Sequence, residues 1–461
     1  MSMQQDFSVG LDIGTTKIVA IIGRKNSFGK IEVMGVGKAK SMGVNKGIVT
    51  NIAQTIASIK EAVQAAERAA GVTIKKVTVG IAGKHIRSLQ HSDYIMREQP
   101  DSFITAKDIE ALKEQVHKLV MLPGEKIIHV LPQDYKVDSE GGIQEPIGMH
   151  GTRLEANFHV VVGQMTSILN IEKCVREAGL ESESLTLEPL ASSEAVLTKE
   201  EKEAGVAIVD IGGGTTDIAI FKDNIIRHTC VIPFGGGIIT EDIKEGCSII
   251  EKQAEQLKVQ FGSAVPELEK DNTYVTISGV HGRPNREISL RSLSQIINAR
   301  VEDILDMVNN ELKAYGAHEQ KKKLIMGIVL TGGGSNLKNI RQLARYKTGF
   351  ETRLGYANEY ISNDKNQSLK GPEYATAIGL LMESLEIRDR EQLNKNLQKD
   401  NEQENEEKIH ENSAKNNTFV ESGEEATIPT EVLAPADKEK PTSLGQRILD
   451  KVKKFFEESE D

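Results

Sequence analysis

Tryptophan is absent from this 461-residue chain, and phenylalanine and tyrosine together contribute only 4%. Apolar residues of all kinds reach 38%. A chain this poor in apolar groups cannot repay the entropy of ordering along its whole length, so part of it is predicted not to fold. The three cysteines, Cys174, Cys230 and Cys247, are too few and too scattered for a disulfide framework or a thiolate metal site, which points to a reducing compartment. Positive charge is also in deficit: 57 Lys and Arg against 68 Asp and Glu leave a net charge of −11. That balance excludes the basic face that nucleic acid requires, so no nucleic-acid partner is expected. No stretch approaches the ~20 apolar residues of a membrane-spanning helix. No charged-then-apolar leader opens the chain, so export is not expected either. The length suits two to four domains in a cytosolic protein, unless something anchors it.

What is present reads as α/β from about Phe7 to Arg388. Strand-like runs at 7–13, 17–23 and 76–82 are interrupted by a helix in which Ile52, Ile56, Ile59, Val63 and Ala66 form one apolar stripe closed by Gly71. The alternation returns in strands at 157–163, 205–211 and 324–330, with a helix near 165–178. Alternating strands and helices imply a sheet covered on its faces. Between about Gly83 and Glu155 apolar runs thin out and a turn-rich GGIQEPIG appears at 141–148, which marks an inserted subdomain. One helix there is predicted to start at Thr105, where Thr-Ala-Lys-Asp resembles a capping box.

The most informative feature is an internal repeat. VGLDIGTTKIVAII (9–22) and VAIVDIGGGTTDIAIF (206–221) share a strand, an Asp, a Gly-containing turn, paired Thr residues and a returning strand. A tight turn of Gly and Thr can aim several backbone N–H groups at one point, which makes an anion nest. Gly14, Gly212, Gly213 and Gly214 permit the close approach, Thr15, Thr16, Thr215 and Thr216 add hydroxyl donors, and Lys17 supplies a cation for phosphate. Asp12, Asp210 and Asp217 would repel bare phosphate but suit a hydrated Mg2+. One such hairpin would pass for ordinary turn chemistry. Two in matching context point to nucleotide. A third cluster, LTGGGSNL (330–337), ends a strand and is predicted to open a helix, with Ser335 or Asn336 suited to capping. No GxGxxG or GxxxxGK[ST] pattern occurs, so dinucleotide-fingerprint and P-loop readings fail.

In combination these motifs resemble the ATPase superfamily of actin, sugar kinases and heat-shock chaperones. DIGTTK resembles its first phosphate loop, DIGGGTTD the second and TGGGSNL the adenosine segment, while EPLASSEAVL (188–197) and EYATAIGLL (373–381) resemble its two interdomain helices. The inserted GIAGKHIRSLQHS (80–92) and the chain's C-terminal segment narrow the resemblance to the FtsA family of bacterial cell-division proteins. A small-molecule kinase of the sugar type on the same fold is the alternative. The resemblance implies an actin-like two-domain fold: a first core subdomain from 1–83 and 158–196, a small α+β insertion at 84–157, and a second half at 197–387 with a small subdomain around 230–305. It implies ATP and Mg2+ as cofactors, protofilaments, and capture of the tubulin-like division protein FtsZ at the cytoplasmic face of the membrane at the septum. By the same resemblance Gly14, Thr15, Thr16 and Lys17 grip one face of the phosphates, and Gly212, Gly213, Gly214 and Thr215 the other. Asp12 and Asp210 orient Mg2+ through water, and Gly332, Gly333, Gly334 and Asn336 flank the nucleoside. Glu255 and Lys258 either hold the ribose and base or form a solvated helix pair. Glu188 either stands near the attacking water as a catalytic residue or is a buried hinge carboxylate. No hydrolytic Gln or Lys is identifiable from the actin subdomain that the insertion replaces, which implies slow turnover. On the helix at 291–308, Arg300 and Asp303 match charged positions where FtsA relatives receive the FtsZ C-terminal peptide. A solvated, salt-bridged face is the other reading.

After Arg388 the composition changes. Residues 388–442 carry 14 acidic and 8 basic side chains, so more than half of the net charge lies in a predicted disordered tether. Order is predicted to return at 443–458. Ser443 and Gln446 form a capping box, and Leu444, Ile448, Leu449, Val452, Phe455 and Phe456 fall on one stripe flanked by Arg447, Lys451, Lys453 and Lys454. Such a segment is too short to span a bilayer but suits insertion at an anionic lipid surface, the alternative being a helix packed on the core.

Overall fold

A computed structural model describes residues 7–97, 101–279, 284–320, 322–357, 360–362 and 367–393. Most of the expected tether and the whole of the expected terminal helix lie outside the described residues. Strands β1 (Ser8–Ile13), β2 (Lys17–Lys25) and β3 (Ile31–Lys40) form an antiparallel meander, helix α1 (Ile52–Ala70) crosses back, and β4 (Lys76–Ile81) returns parallel to β1. Helix α1 buries Ile59, Val63 and Ala66 as the periodicity requires, with Asn51 capping its first turn and Gly71 closing it in the left-handed conformation at φ 69°.

The chain then leaves this sheet. Strand β5 (Ile86–Met96), helix α2 (Ala106–His117) and strands β6 (Glu125–Val137), β7 (Glu140–Ile143) and β8 (Arg153–Gln164) make a separate four-stranded sheet in the order β5-β8-β6-β7. The capping box at Thr105 is present: the Asp108 carboxylate accepts from the Thr105 backbone N–H at 2.7 Å. The insertion ends later than the expected boundary at 157. Strand β8 pairs with both neighbours as far as Gly163, because its Phe158, Val160 and Val162 belong to the insertion's own core. Helix α3 (Met165–Glu177) leads back to β9 (Glu181–Leu187), which pairs parallel to β4.

Helix α4 (Glu188–Val196) carries the chain into a second sheet built like the first. Strands β10 (Val206–Ile211), β11 (Thr216–Lys222) and β12 (Ile225–Ile232) again form an antiparallel meander. Helices α5 (Gly236–Cys247), α6 (Glu251–Phe261) and α7 (Leu290–Tyr315) follow, then β13 (Ile328–Thr331) parallel to β10, α8 (Ile340–Thr348), and β14 (Thr352–Leu354) parallel to β13. The strand expected over 324–330 is shorter because Ile325 and Met326 lie in an exposed turn. The two sheets, β9-β4-β1-β2-β3 and β14-β13-β10-β11-β12, share strand order and direction. The sequence repeat is therefore a repeat of folds, the duplicated actin-like architecture that the motifs imply.

Helix α9 (residues 375–393) closes the unit and runs past the expected linker start at 388. Leu385 is buried there, and Lys25 pairs with Asp389 and Arg390 with Glu386. Helices α4 and α9 cross between the sheets within a core that takes Val19 and Ile21 from the first sheet, Ile208 and Ala219 from the second, and Ala195 and Ile378 from the helices.

The insertion touches both halves. His129 accepts the Leu187 backbone N–H at 3.0 Å, at the start of α4, and Gln133 donates to the Ile226 carbonyl at 2.6 Å, on the edge strand β12. His159 is fully buried in the same seam. Gln90 donates to its Nδ1 at 3.2 Å, so Nε2 carries the hydrogen and donates to Thr229 Oγ1 at 2.9 Å. Burial, with His228 nearby, pushes the His159 pKa down to about 4. The unfolded chain takes up this proton near pH 6.5 and the folded chain only near pH 4, so the contribution to stability is complete above pH 6.5 and lost as pH falls through that window. The expected loss is on the order of 3 kcal/mol, read as a falling urea midpoint between pH 7 and 4. A His159→Gln chain should show a flatter profile; an identical profile would exclude His159 as its source.

Candidate functional site

The two hairpin turns are equal in length. Residues 14–17 join Ile13 to Ile18, and residues 212–215 join Ile211 to Thr216. Each follows a strand buried along its whole length, so the turn is the first backbone free to face the cleft. The turns meet: a β-carbon built on Gly213 would lie 2.3 Å from Thr16 Cγ2, and one on Gly214 2.4 Å from Thr15 Oγ1. No side chain fits there, which is why the second turn is glycine where the first has room for threonine. Behind the second turn α5 begins, its Gly236 and Gly237 N–H groups donating to the carbonyls of Gly212 and Gly213 at 2.8 and 2.7 Å.

A cavity of about 80 Å³ lies between the turns, lined by residues from both repeats together with Glu188, Gly332, Gly333, Glu373 and Thr376. Asp12, Glu188, Asp210 and Asp217 converge on it, and Lys17 is the one cation among its described lining. Burial pushes Asp12 up to about 6, with Lys17 opposing and Asp210 adding to the rise. Burial, then Asp210, pushes Asp217 to about 8. Glu188 is raised well above the usual carboxylate range by burial and by the three aspartates. Asp210 is also raised by burial, opposed by hydrogen bonds from Ser192 and Thr376. Four carboxyl groups with one ammonium form a cluster short of positive charge. Asp217 accepts from Thr215 Oγ1 at 2.9 Å through Oδ2, while its buried Oδ1 has no hydrogen-bond partner among the described residues. This donor set fits a divalent cation. Among the described residues no group of three or more His, Cys, Asp or Glu side chains is arranged to ligate a metal directly, so an ion held here would keep much of its water.

The remaining predicted residues divide. Lys17 Nζ donates to the Glu373 carbonyl and lies 4.6 Å from the Tyr374 ring centre. Gly332 adopts φ 82°, and a β-carbon there would meet Asp210 Oδ1 at 2.2 Å. Gly333 also lines the cavity, but Gly334 packs on Ile211, and Asn336 lies outside and donates to Glu373 Oε2 at 2.9 Å. The expected helix does not open at Ser335 or Asn336. Gly333–Asn336 is a 3₁₀ turn in which Ser335 Oγ donates back to the Gly332 carbonyl at 2.7 Å, and α8 begins only at Ile340. Glu255 and Lys258 are not merely a solvated pair. Lys258 Nζ donates to the Gly236 carbonyl and Thr240 Oγ1, both at 2.7 Å, and so anchors the first turn of α5. Glu255 stands on the wall of a wider cavity of about 1120 Å³ that adjoins both turns. On α7, Leu293, Ile297, Val301, Ile304 and Leu305 are buried; Arg300 is held by Asp242 at 2.6 and 3.1 Å and by Asp303 at 3.1 Å, so its charge is largely matched internally.

Pattern reading missed Glu373 and Thr376, which line the cavity, and Ser192, which with Thr376 bonds to Asp210. Ser192 and Thr376 stand in the two segments read for their small residues. A hydroxyl on an otherwise apolar helix face was the available signal.

Residues 207–379 match the family description "Cell division protein FtsA", and residues 83–162 match "SHS2 domain inserted in FTSA". The chain is 40% identical over 379 residues to the cell division protein FtsA of Pseudomonas aeruginosa, covering 82% of this chain and 89% of that one. It is 33% identical over 377 residues to the FtsA of Escherichia coli K12, covering 81% and 89% respectively. Among solved structures, one titled "PilM-PilN type IV pilus biogenesis complex" superposes with a TM-score of 0.60 at 16% identity, covering 82% of this chain and 98% of that chain, a likeness of fold.

Proposed function

The chain belongs to the FtsA family of cell-division proteins, and from that premise we propose that it binds ATP with Mg2+ between its halves, polymerises, and ties the FtsZ ring to the cytoplasmic face of the membrane at the septum. The observation that carries this reading is the meeting of two Gly-Thr turns of equal length over a cluster of buried carboxyl groups and one lysine. When bound, the nucleotide supplies a polyanion and the ion a counter-charge spanning both halves. The Gly14–Lys17 and Gly212–Thr215 turns would donate to phosphate, Asp12 and Asp210 would hold the ion through water, and Glu255 would serve the nucleoside. Lys258 acts behind Glu255 rather than on the ligand. Glu188 is the candidate for orienting water; burial and the three aspartates disfavour its charged form, in keeping with slow hydrolysis. The nucleotide then serves mainly as a brace across the cleft.

In this reading the FtsZ peptide binds at α7 near Arg300 and Asp303, although the pairing of Arg300 with Asp242 and Asp303 also suits a salt-bridged face without a partner. Among the described residues no helix is long and apolar enough to cross a membrane. Attachment is assigned instead to residues 443–458 on their tether. Each basic residue near an anionic leaflet contributes about 1 kcal/mol, so one helix binds weakly and reversibly, and a filament presenting many binds strongly. Co-sedimentation with vesicles containing anionic lipid tests the assembly and the anchor together. The full chain should pellet with vesicles, and more so with ATP; a chain ending at Pro441 should remain in the supernatant. Equal pelleting by the shortened chain would refute the anchor, and indifference to ATP would refute the coupling.

A further inference from the structure

The two helices that cross between the halves each send one hydroxyl to the same carboxylate oxygen. Ser192 Oγ, on α4, donates to Asp210 Oδ2 at 2.6 Å, and Thr376 Oγ1, on α9, donates to the same oxygen at 3.1 Å. The two hydroxyl oxygens are 3.0 Å apart. Ser192, Thr376 and Asp210 are all buried, at 0%, 9% and 6% exposure, with Thr376 and Asp210 lining the cavity. Two hydrogens serve three contacts: with both aimed at Asp210, the contact between the hydroxyls carries none. A hydroxyl that turned to its neighbour would give up its bond to Asp210.

The two helices pack backbone to backbone at the same crossing. A β-carbon built on Gly379 of α9 would lie 1.8 Å from the Ala191 carbonyl oxygen, next to Ser192 in sequence. Helix α9 also rests on the first sheet, where Gly10 of β1 leaves room for the backbone at Ala377 and Leu381. Both halves rest on this crossing, and Asp210, near the end of β10, lines the cavity beside it.

We propose that Ser192 and Thr376 are positioning residues that couple the α4–α9 crossing to Asp210, so that the cation affinity of the site depends on how the two halves are set. The inference rests on the reading of the cavity as a site for ATP and Mg2+, and goes beyond it by assigning the link between cleft geometry and the ion. A carboxylate held by two buried donors keeps one rotamer, with its other oxygen directed toward Gly332. Without the donors it can turn, and the water-mediated hold on the ion weakens.

The experiment measures ATP binding by the full chain during Mg2+ titration, and again in EDTA. Ser192→Ala and Thr376→Val, which removes the hydroxyl but keeps the volume, should each raise the Mg2+ concentration at half-saturation about tenfold, as expected for loss of a hydrogen bond to a charged group. ATP affinity in EDTA should stay within about twofold, a separation that a general structural defect would not produce. Thr376→Ser, which restores the hydroxyl, should return the Mg2+ midpoint to that of the unmodified chain. An unchanged midpoint in the two hydroxyl-free variants overturns the proposal. So does a fall in affinity of equal size with and without Mg2+. Failure of the unmodified chain to bind ATP at all would overturn the reading of the site itself, and this inference with it.

Discussion

Lys17→Ala is expected to lower ATP affinity about 100-fold at pH 7, roughly 3 kcal/mol, with the fold retained. Lys17 begins β2, directly after the first turn, and is the one cation among the described residues lining the cavity. Its ammonium is fixed in place from the far end of the chain, by the Glu373 carbonyl and the Tyr374 ring. A lysine prepositioned beside bound phosphate gives a charge-assisted hydrogen bond in a partly desolvated site, where such a bond is about twice as strong as a neutral one. Removing it also takes away the charge that opposes burial at Asp12, so the cluster becomes still less balanced. Arginine should rescue only in part, because a planar fork replaces a point charge in a cavity of about 80 Å³. Calorimetric titration with ATP and Mg2+ reads the effect directly. A loss below about threefold would mean that phosphate is held elsewhere.

The second large effect is expected at Gly379, where valine should destabilise the protein by more than about 3 kcal/mol. In an isolated helix, replacing an interior glycine with alanine gains about 1 kcal/mol. Here the sign reverses, because the atom that would receive the new side chain is the Ala191 carbonyl at 1.8 Å, and backbone does not step aside as a side-chain tip can. The helices would have to part, opening the core that joins the sheets and drawing Ser192 and Thr376 from Asp210. Even Gly379→Ala should destabilise. Gly141 supplies the control: a β-carbon there meets nothing closer than Lys136 Cγ at 4.0 Å, so Gly141→Ala should be close to neutral. Urea midpoints of the three variants decide the matter. A Gly379→Val chain as stable as the unmodified one would show that the crossing is not the tight contact described here.

Much of the scaffold around these residues was legible without coordinates because the relevant physics is local. A short apolar run ending in Asp-Ile-Gly makes a buried strand and a turn whatever follows. Asn51, Gly71 and the Thr105–Asp108 pair end their helices with groups within a few residues of each terminus. Errors fell where local pattern and tertiary packing diverge. The insertion's last strand reads like a core strand, and only its pairing with β5 and β6 shows that it belongs to the insertion throughout. Gly-Gly-Gly-Ser-Asn has the composition of a helix start, yet Ser335 turns its hydroxyl back to Gly332 and makes a 3₁₀ turn.

The sequence by itself determined the duplication, the two anion-nesting turns, the set of residue types at them, and the periodic stripe of the terminal segment, since each depends on neighbours a few positions away. Tertiary structure alone decided what those residues face. Lys17 meets Glu373 across 356 positions, Asp210 meets Thr376 across 166, and Arg300 meets Asp242 across 58, and no periodicity encodes such pairings. The charge states of Asp12, Glu188, Asp210 and Asp217 belong to the same class. They follow from burial and mutual repulsion, which exist only once two halves of the chain close over one cavity.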